Sequence, residues 1–266
     1  MNYWIDTHCH LDAAEFDADR DAVYAAARAA GIAEIVVPAI GAANFPAVKA
    51  CCRRYAGCQP AYGIHPLYVA DATPADLATL RSWLATEKAL AVGEIGLDFH
   101  VPGGDQERQQ LFFSEQLKIA REFDLPVLLH VRRAVDAILL QLKRIGVRGG
   151  IAHAFNGSRQ QADQFIEMGF KLGFGGTLTF EGSRRIRELA ATLPLEAIVL
   201  ETDAPDIPPA WLGRGRNAPD ELPRIAAILA ELRGCTPEEI AAATTSNARA
   251  VLRRDAPNST IAESLS

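Results

Sequence analysis

Residues 5–12 of the chain read IDTHCHLD, a stretch in which an apolar run ends in two histidines, His8 and His10. Side chains at positions i and i+2 of an extended strand share a face. Both imidazoles can therefore point to one side of a strand that ends here. Further along the chain, other apolar runs also end in a histidine or a carboxylate. The predicted fold rests on this repeated pattern.

Short apolar runs alternate with helical patterns over most of the sequence. The predicted strands are 3–8, 34–39, 60–64, 89–94, 126–130, 149–153, 170–174 and 197–202. Several are continuously apolar, which is typical of strands buried on both faces. The predicted helices are 18–30, 44–56, 74–86, 105–123, 134–145, 159–168 and 183–191, followed by 220–233 and 237–253. Thr73, Asp105 and Ser158 stand where helix N-caps are expected.

Eight alternating strand and helix units predict an α/β protein with a parallel sheet closed into a (β/α)8 barrel, the TIM barrel. The length of 266 residues suits one such barrel, and we expect a single domain over 1–253 with a polar tail over 254–266. Active sites of these barrels lie at the C-terminal ends of the strands. We therefore expect the functional residues at that mouth.

Five of the six histidines fall at predicted strand ends, and two carboxylates occupy equivalent places: Glu94 in VGEIGLD and Asp203 in LETDAPD. Imidazoles and carboxylates together are ligands for divalent metal ions. Six ligands at one mouth predict two ions about 3.5–4 Å apart that share one carboxylate. The predicted ligands are His8, His10, Glu94, His130, His153 and Asp203. The identity of the ions stays open among zinc, manganese and magnesium.

Other charged and imidazole groups near the strand ends have two interpretations each. Asp6 and Glu201, two residues before His8 and Asp203, could orient the second nitrogen of a ligating imidazole or form buried salt bridges. His65, in YGIHP, could contact substrate or only cap the turn before Pro66. We expect His100, the remaining histidine, in a solvated loop.

Arginines near the predicted mouth favour an anionic substrate. Arg132 and Arg133 follow His130 after one residue, Val131, and the guanidinium fork binds phosphate oxygens in pairs. An exposed surface pair is the competing interpretation. Arg214 and Arg216 add positive charge beyond the last strand, where loop solubility is the alternative.

Composition excludes some classes of partner. The formal net charge of −6 gives no global attraction to nucleic acid or to acidic membranes, so a polyanion would need a local patch or metal ions. Five cysteines without a C-x-x-C pair favour a reduced, cytoplasmic compartment. The sequence shows no signal peptide, no membrane-spanning run and no evident obligate protein partner.

Taken in order, these motifs resemble the TatD family of metal-dependent deoxyribonucleases, within the amidohydrolase-like barrels. The resemblance runs from residue 5 to about 252 and is carried by IDTHCH, YGIHP, VGEIGLDF, QLKIAREFDLPVLLHVRR, HAFNGS and LETDAPD. It implies the same six metal ligands, with Glu94 bridging two ions and Asp203 beside the attacking water. The chain departs from the family at Val131, Ala154, Asn156 and Ala218, which concerns substrate preference and alters no ligand.

The expected activity is hydrolysis of phosphodiester bonds in DNA. Asp203 would accept the proton of the attacking water, and a narrow mouth favours exonucleolytic action on single-stranded ends. One alternative is a small-molecule amide, ester or lactone hydrolase, although many such barrels carry a carboxylated lysine where this chain has Glu94. The family resemblance keeps an aminoacyl-tRNA deacylase open. A non-catalytic metal-binding protein has the least support, because the ligand set is complete.

Overall fold

A computed structural model describes residues 3–252, in which eight parallel strands form one sheet. The strands are β1 Trp4–Asp6, β2 Ile32–Pro38, β3 Cys58–Tyr62, β4 Ala91–Asp98, β5 Val127–Arg132, β6 Gly150–Ala152, β7 Phe170–Phe174 and β8 Ile198–Leu200. Each strand pairs with the next in chain order, and every pairing is parallel. The predicted (β/α)8 barrel is confirmed.

The first and last strands meet at a seam that closes the sheet. The backbone N–H of Thr7 donates to the carbonyl of Leu200 at 3.1 Å, and the Thr7 hydroxyl donates to the same oxygen at 3.0 Å. Farther along, the N–H of Asp203 donates to the carbonyl of His8 at 2.8 Å. These bonds bring the segments that follow β1 and β8 side by side at the mouth.

The helices lie outside the sheet in the predicted order. They are α1 Arg20–Ala29, α2 Phe45–Arg54, α3 Pro74–Thr86, α4 Gln106–Glu122, α5 Val135–Ile145, α6 Arg159–Glu167, α7 Arg184–Thr192, α8 Leu222–Arg233 and α9 Pro237–Leu252. The predicted N-caps are confirmed. Thr73 and Ser158 form capping boxes at α3 and α6, and the Asp105 side chain accepts a hydrogen bond from the Arg108 N–H at α4.

The interior of the barrel is apolar below the mouth. One buried cluster contains Ile5, Val36, Ala61, Ala91, Leu128, Ile151 and Val199, one from each of seven strands, together with Val251 and Leu252 from α9. Because alternate residues of a strand share a face, His130 and His153 continue the faces of Leu128 and Ile151. The alternation of side chains that turns Leu128 and Ile151 into the core therefore also turns these histidines into the mouth.

Two strand boundaries differ from the prediction. β1 ends at Asp6 rather than at residue 8, because the next residues bond across the seam and to β2, where the Cys9 N–H donates to the Val36 carbonyl at 3.0 Å. β4 continues to Asp98 rather than ending at residue 94, because its ladder with β5 extends to the pair Asp98 and Arg132.

The division of the chain at residue 253 and the predicted tail 254–266 lie outside the described residues. Among helices within residues 3–252, none has both the length and the apolar character needed to cross a membrane.

Candidate metal centre

The two carboxylate oxygens of Glu94 face two different groups of imidazoles. Oε2 lies 3.1 Å from Nε2 of His8 and 3.6 Å from Nε2 of His10. Oε1 lies 3.0 Å from Nδ1 of His130 and 3.2 Å from Nε2 of His153. Glu94 is 2% exposed and stands on β4, near the middle of the mouth. One buried carboxylate therefore joins two groups of potential ligands.

The first group has the dimensions of a tetrahedral metal site. Nε2 of His8 and Nε2 of His10 are 3.3 Å apart. Oδ1 of Asp203 lies 3.5 Å from the first nitrogen and 3.7 Å from the second. Ligand atoms about 2.0–2.2 Å from a tetrahedral ion are roughly 3.3–3.6 Å from one another. His8, His10 and Asp203 thus meet the distance requirement for one divalent ion, and Oε2 of Glu94 lies beside the two imidazoles.

The second group surrounds the other oxygen of Glu94. Nε2 of His65 lies 3.0 Å from Nδ1 of His130 and 3.5 Å from Oε1 of Glu94. Nδ1 of His65 accepts a hydrogen bond from the Leu67 N–H at 3.2 Å. Both interpretations of His65 therefore have a structural counterpart, since one nitrogen caps the turn and the other faces the carboxylate. His65, Glu94 and His130 also meet the distance requirement for a metal site.

Two further carboxylates lie behind the imidazoles. Oδ2 of Asp98 lies 3.0 Å from Nε2 of His130, on the side of the ring opposite Glu94. Oε1 of Glu201 lies 3.5 Å from Nδ1 of His153, within ion-pair distance, and accepts a hydrogen bond from the Ala154 N–H at 2.5 Å. The sequence analysis missed Asp98. Its signal was the strand period, because Asp98 follows Glu94 by four residues in a strand.

Glu201 needs space that a glycine provides. Gly173, on β7, lies against the Glu201 carboxylate, and a Cβ at this position would overlap the carboxylate oxygens. Glu201 is 1% exposed. The missing side chain on β7 therefore allows a buried carboxylate to reach the back of His153.

Asp6 has a different role from the one predicted. Its carboxylate accepts hydrogen bonds from the Thr202 hydroxyl at 2.6 Å, the Thr202 N–H at 3.0 Å and the backbone N–H of His8 at 3.2 Å. It forms no hydrogen bond with an imidazole nitrogen of the described residues. Asp6 instead joins β1 to the segment after β8, because the seam places unpaired donors around it.

Burial and charge set the protonation states in the centre. Burial lowers the pKa of His8 to about 3, which favours the neutral imidazole that binds metals. Burial alone would raise the pKa of Glu94, but the charges of nearby imidazoles, His65 first, bring it well below its usual range. Burial raises the pKa of Asp203 to about 6, against the opposing charge of His153. The donor set thus combines an ionised carboxylate, Glu94, with a neutral imidazole, His8.

A cavity of about 1230 Å³ lies above the centre. Its wall includes Arg132 and Arg133, as predicted, and also Arg185 at the start of α7. His100 lies in the loop between β4 and α4, as predicted, but it is half-buried and lines the cavity rather than standing free on the surface. Asp98 holds it there by accepting the His100 N–H at 2.9 Å.

The arginines after β8 do not contribute to the described cavity wall. Arg216 forms an ion pair with Asp19 at 2.7 Å and lies over the ring of Phe16. Arg214 is exposed. Arg216 therefore fixes this loop to the residue before α1, and neither arginine adds positive charge to the cavity wall.

The comparisons with known proteins agree with this geometry. Residues 5–253 match the TatD related DNase family. The chain belongs to this family. It is 42% identical over 247 residues to the uncharacterized metal-dependent hydrolase YjjV of Escherichia coli K12, which covers 92% of this chain and 95% of that protein. The crystal structure of YjjV superimposes with a TM-score of 0.91 at 41% identity, over 94% of this chain and 97% of that one.

A further relative has a named activity. The chain is 33% identical to the 3'-5' ssDNA/RNA exonuclease TatD of Erwinia amylovora, over 92% of this chain and 98% of that protein. Family membership, the barrel and the ligand-like cluster together make the chain a metal-dependent hydrolase of the TatD family.

Proposed function

We propose that this TatD-family member hydrolyses phosphodiester bonds of DNA, acting exonucleolytically on single-stranded ends with two divalent ions. The observation that carries the proposal is the position of Glu94, whose two oxygens face separate ligand groups beneath a cavity lined by arginines. Paired metals joined in this way are typical of enzymes that cleave phosphate esters. The named activity of the Erwinia relative supports the same class of substrate.

The six predicted ligands divide between the two ions. His8, His10 and Asp203 would hold one ion with Oε2 of Glu94, and His130 and His153 would hold the other with Oε1. The imidazole-rich set favours zinc or manganese, while magnesium is common in phosphoryl chemistry. When bound, such ions polarise the phosphate and lower the pKa of water toward neutrality.

Asp203 is the proposed general base. It lines the cavity, its side chain is 14% exposed, and its backbone is held by His8. The oxygen of the attacking water bonds to phosphorus and its proton passes to the Asp203 carboxylate. The bond from phosphorus to the leaving sugar oxygen breaks, and Asp203 passes the proton on to that oxygen, which leaves as a hydroxyl. Glu94 holds the two groups of ligands at a fixed distance from each other during this step. His65, with Nε2 beside Glu94, is placed to contact the substrate.

Arg132 and Arg133 are proposed to orient the phosphate. Arg132 ends β5 and Arg133 follows it; both line the cavity, and neither forms an ion pair with a carboxylate of residues 3–252. Their charge therefore remains available to an anion. A site at the bottom of a barrel mouth admits a strand end more readily than an intact duplex, which supports action on single-stranded ends.

The test is an activity assay after metal removal. Protein stripped by chelation and dialysis receives zinc, manganese or magnesium and is assayed on 3'-labelled single-stranded DNA and RNA, a lactone panel and charged tRNA. We expect stepwise shortening of DNA that depends on added metal, and none by Asp203→Asn. Turnover of lactones or charged tRNA without cleavage of DNA would contradict the proposal.

The cytoplasmic location is part of the same proposal. All five cysteines are free thiols in the structure, as expected of a protein from a reducing compartment.

A further inference from the structure

A third arginine of the cavity wall is held in place by a neutral side chain. Arg185 donates from Nε at 3.2 Å and from Nη2 at 2.7 Å to Oδ1 of Asn156, and from Nη2 at 3.3 Å to the Asn156 carbonyl. Asn156 follows His153 by three residues in the loop after β6, and both partners line the cavity. The guanidinium therefore has a defined position and keeps its full charge.

The remaining edge of this guanidinium is unused. Within residues 3–252, Nη1 of Arg185 has no hydrogen-bond partner, and no carboxylate lies within ion-pair distance. Some other arginines of the surface are neutralised by carboxylates, as in the pairs Arg159–Asp163 at 2.9 Å and Arg216–Asp19 at 2.7 Å. Ordering a long charged side chain costs conformational entropy. An ordered arginine without a counter-ion at a cavity wall is suited to an anionic ligand.

The charges of the cavity wall are divided by sign. Arg132 and Arg133 end or follow β5, and Arg185 follows β7. Carboxylates lie on the other side of the mouth, where Asp206 follows β8 and Asp12 follows β1. The arc from β5 to β7 is therefore positive, and the arc from β8 to β1 is negative. A string of phosphates would be attracted along the first arc.

The size of the cavity allows more than one phosphate group. Its volume of about 1230 Å³ exceeds the roughly 300–1,000 Å³ typical of small-molecule sites. The arginines after β5 and the arginine after β7 stand on different elements of its wall. One phosphate at the metal centre would leave the Arg185 side of the cavity free for a neighbour.

We infer that Arg185, positioned by Asn156, binds the phosphate next to the one that is cleaved. The inference rests on the proposed phosphodiesterase function and narrows its substrate to an oligonucleotide with at least two phosphates. It also gives a role to Asn156. Its amide oxygen accepts two bonds from one guanidinium without neutralising it.

The test compares two substrates that differ by one phosphate, the thymidine dimer TpT and the trimer TpTpT. Whichever phosphate of the trimer is cleaved, the other is its neighbour, so the polarity of digestion does not matter. For Arg185→Gln we expect the ratio of kcat/KM for TpTpT to that for TpT to fall about tenfold, mainly through KM. The affinity of Arg185→Gln for longer single strands should also depend less on salt. The slope of log affinity against log salt concentration should decrease in magnitude by about 0.7.

Arg184→Gln is the matched control. Arg184 is the neighbouring residue, is exposed and does not line the cavity, and its replacement removes the same charge from the same end of α7. It should leave the ratio and the salt slope unchanged. An equal effect of both variants would overturn the inference, because the cause would then be the general charge of the helix.

Two variants of Asn156 test the positioning. Asn156→Ala keeps the charge of Arg185 but frees the guanidinium, so the ratio should fall by about threefold. Asn156→Asp supplies a carboxylate that pairs with Arg185, so its effect should approach that of Arg185→Gln although the arginine is present. If Arg185→Gln has the same ratio of kcat/KM for TpTpT to kcat/KM for TpT as the wild type, this inference is overturned and the proposed function is unaffected. If the wild-type protein cleaves neither short substrate but shortens longer single strands, the proposed function stands, and an unchanged salt slope of Arg185→Gln on those strands would overturn the inference. Failure to cleave any single-stranded DNA would overturn the proposed function and this inference with it.

Discussion

Oδ2 of Asp98 and Nε2 of His130 lie 3.0 Å apart, and Nδ1 of the same imidazole lies 3.0 Å from Glu94. Burial alone would raise the pKa of Asp98, but the hydrogen bond from His130 and further polar interactions bring it to about 2. An ionised carboxylate behind a ligating imidazole fixes the ring and increases its basicity. Asp98 is thus placed to orient His130 for the metal binding that we propose.

Asp98→Ala should weaken binding of a divalent ion by about 10–100-fold, because His130 loses this support. Titration calorimetry with manganese or zinc on the stripped protein measures the affinity directly. Asp98→Asn keeps an acceptor oxygen and should lose less. Unchanged affinity in the alanine variant would show that His130 needs no partner or is not a ligand.

Asp203→Asn should reduce turnover of single-stranded DNA by at least about 10²–10⁴-fold, because an amide cannot act as a general base and is a weaker ligand. The circular dichroism spectrum should match that of the wild type. A variant that keeps most of its activity would exclude Asp203 from both roles.

Replacing Arg132 and Arg133 together with alanine should raise KM for DNA, and the salt slope should decrease by about 0.7 for each phosphate that the variant no longer binds. A charge-neutral ester, where one is turned over, should be much less affected. Replacing Lys143 and Arg144 together with alanine, at two exposed positions in the last turn of α5, is the control for the loss of two charges. Equal losses on charged and neutral substrates would indicate damage to β5 instead.

Asp6→Ala should lower the free energy of unfolding by about 2–3 kcal/mol, because the buried donors of Thr202 and His8 lose their acceptor. Urea unfolding of the metal-free protein measures this without reference to activity. A change within error would mean that water or a shift of the seam replaces the carboxylate.

Chelation should lower the thermal stability of the metal-loaded protein. An ion present at a thousandfold above its dissociation constant stabilises the native state by about 4 kcal/mol, or roughly 8–16 °C in Tm for a domain of this size. Scanning calorimetry before and after dialysis against a chelator measures the shift. An unchanged Tm would indicate that the stripped and untreated proteins hold the same amount of metal.

The sequence by itself determined the barrel and the gathering of its strand-end residues. Apolar runs alternate with helical patterns eight times, and parallel strands of a barrel end at one mouth, so His8, Glu94 and Asp203 were expected together although they are far apart in the chain. The period of two along a strand also oriented His130 and His153. Local spacing was enough for these features because each depends only on where a strand ends.

Tertiary structure alone decided what the flanking charges do. Asp6 accepts hydrogen bonds from Thr202 rather than from an imidazole, because closure of the sheet places Thr202 beside it. Arg216 pairs with Asp19, while Arg185 meets Asn156 at the cavity wall. Flexible side chains on loops take the partners that distant segments bring within a few ångströms. Sequence spacing does not encode those distances, so the roles of these residues became visible only in the folded chain.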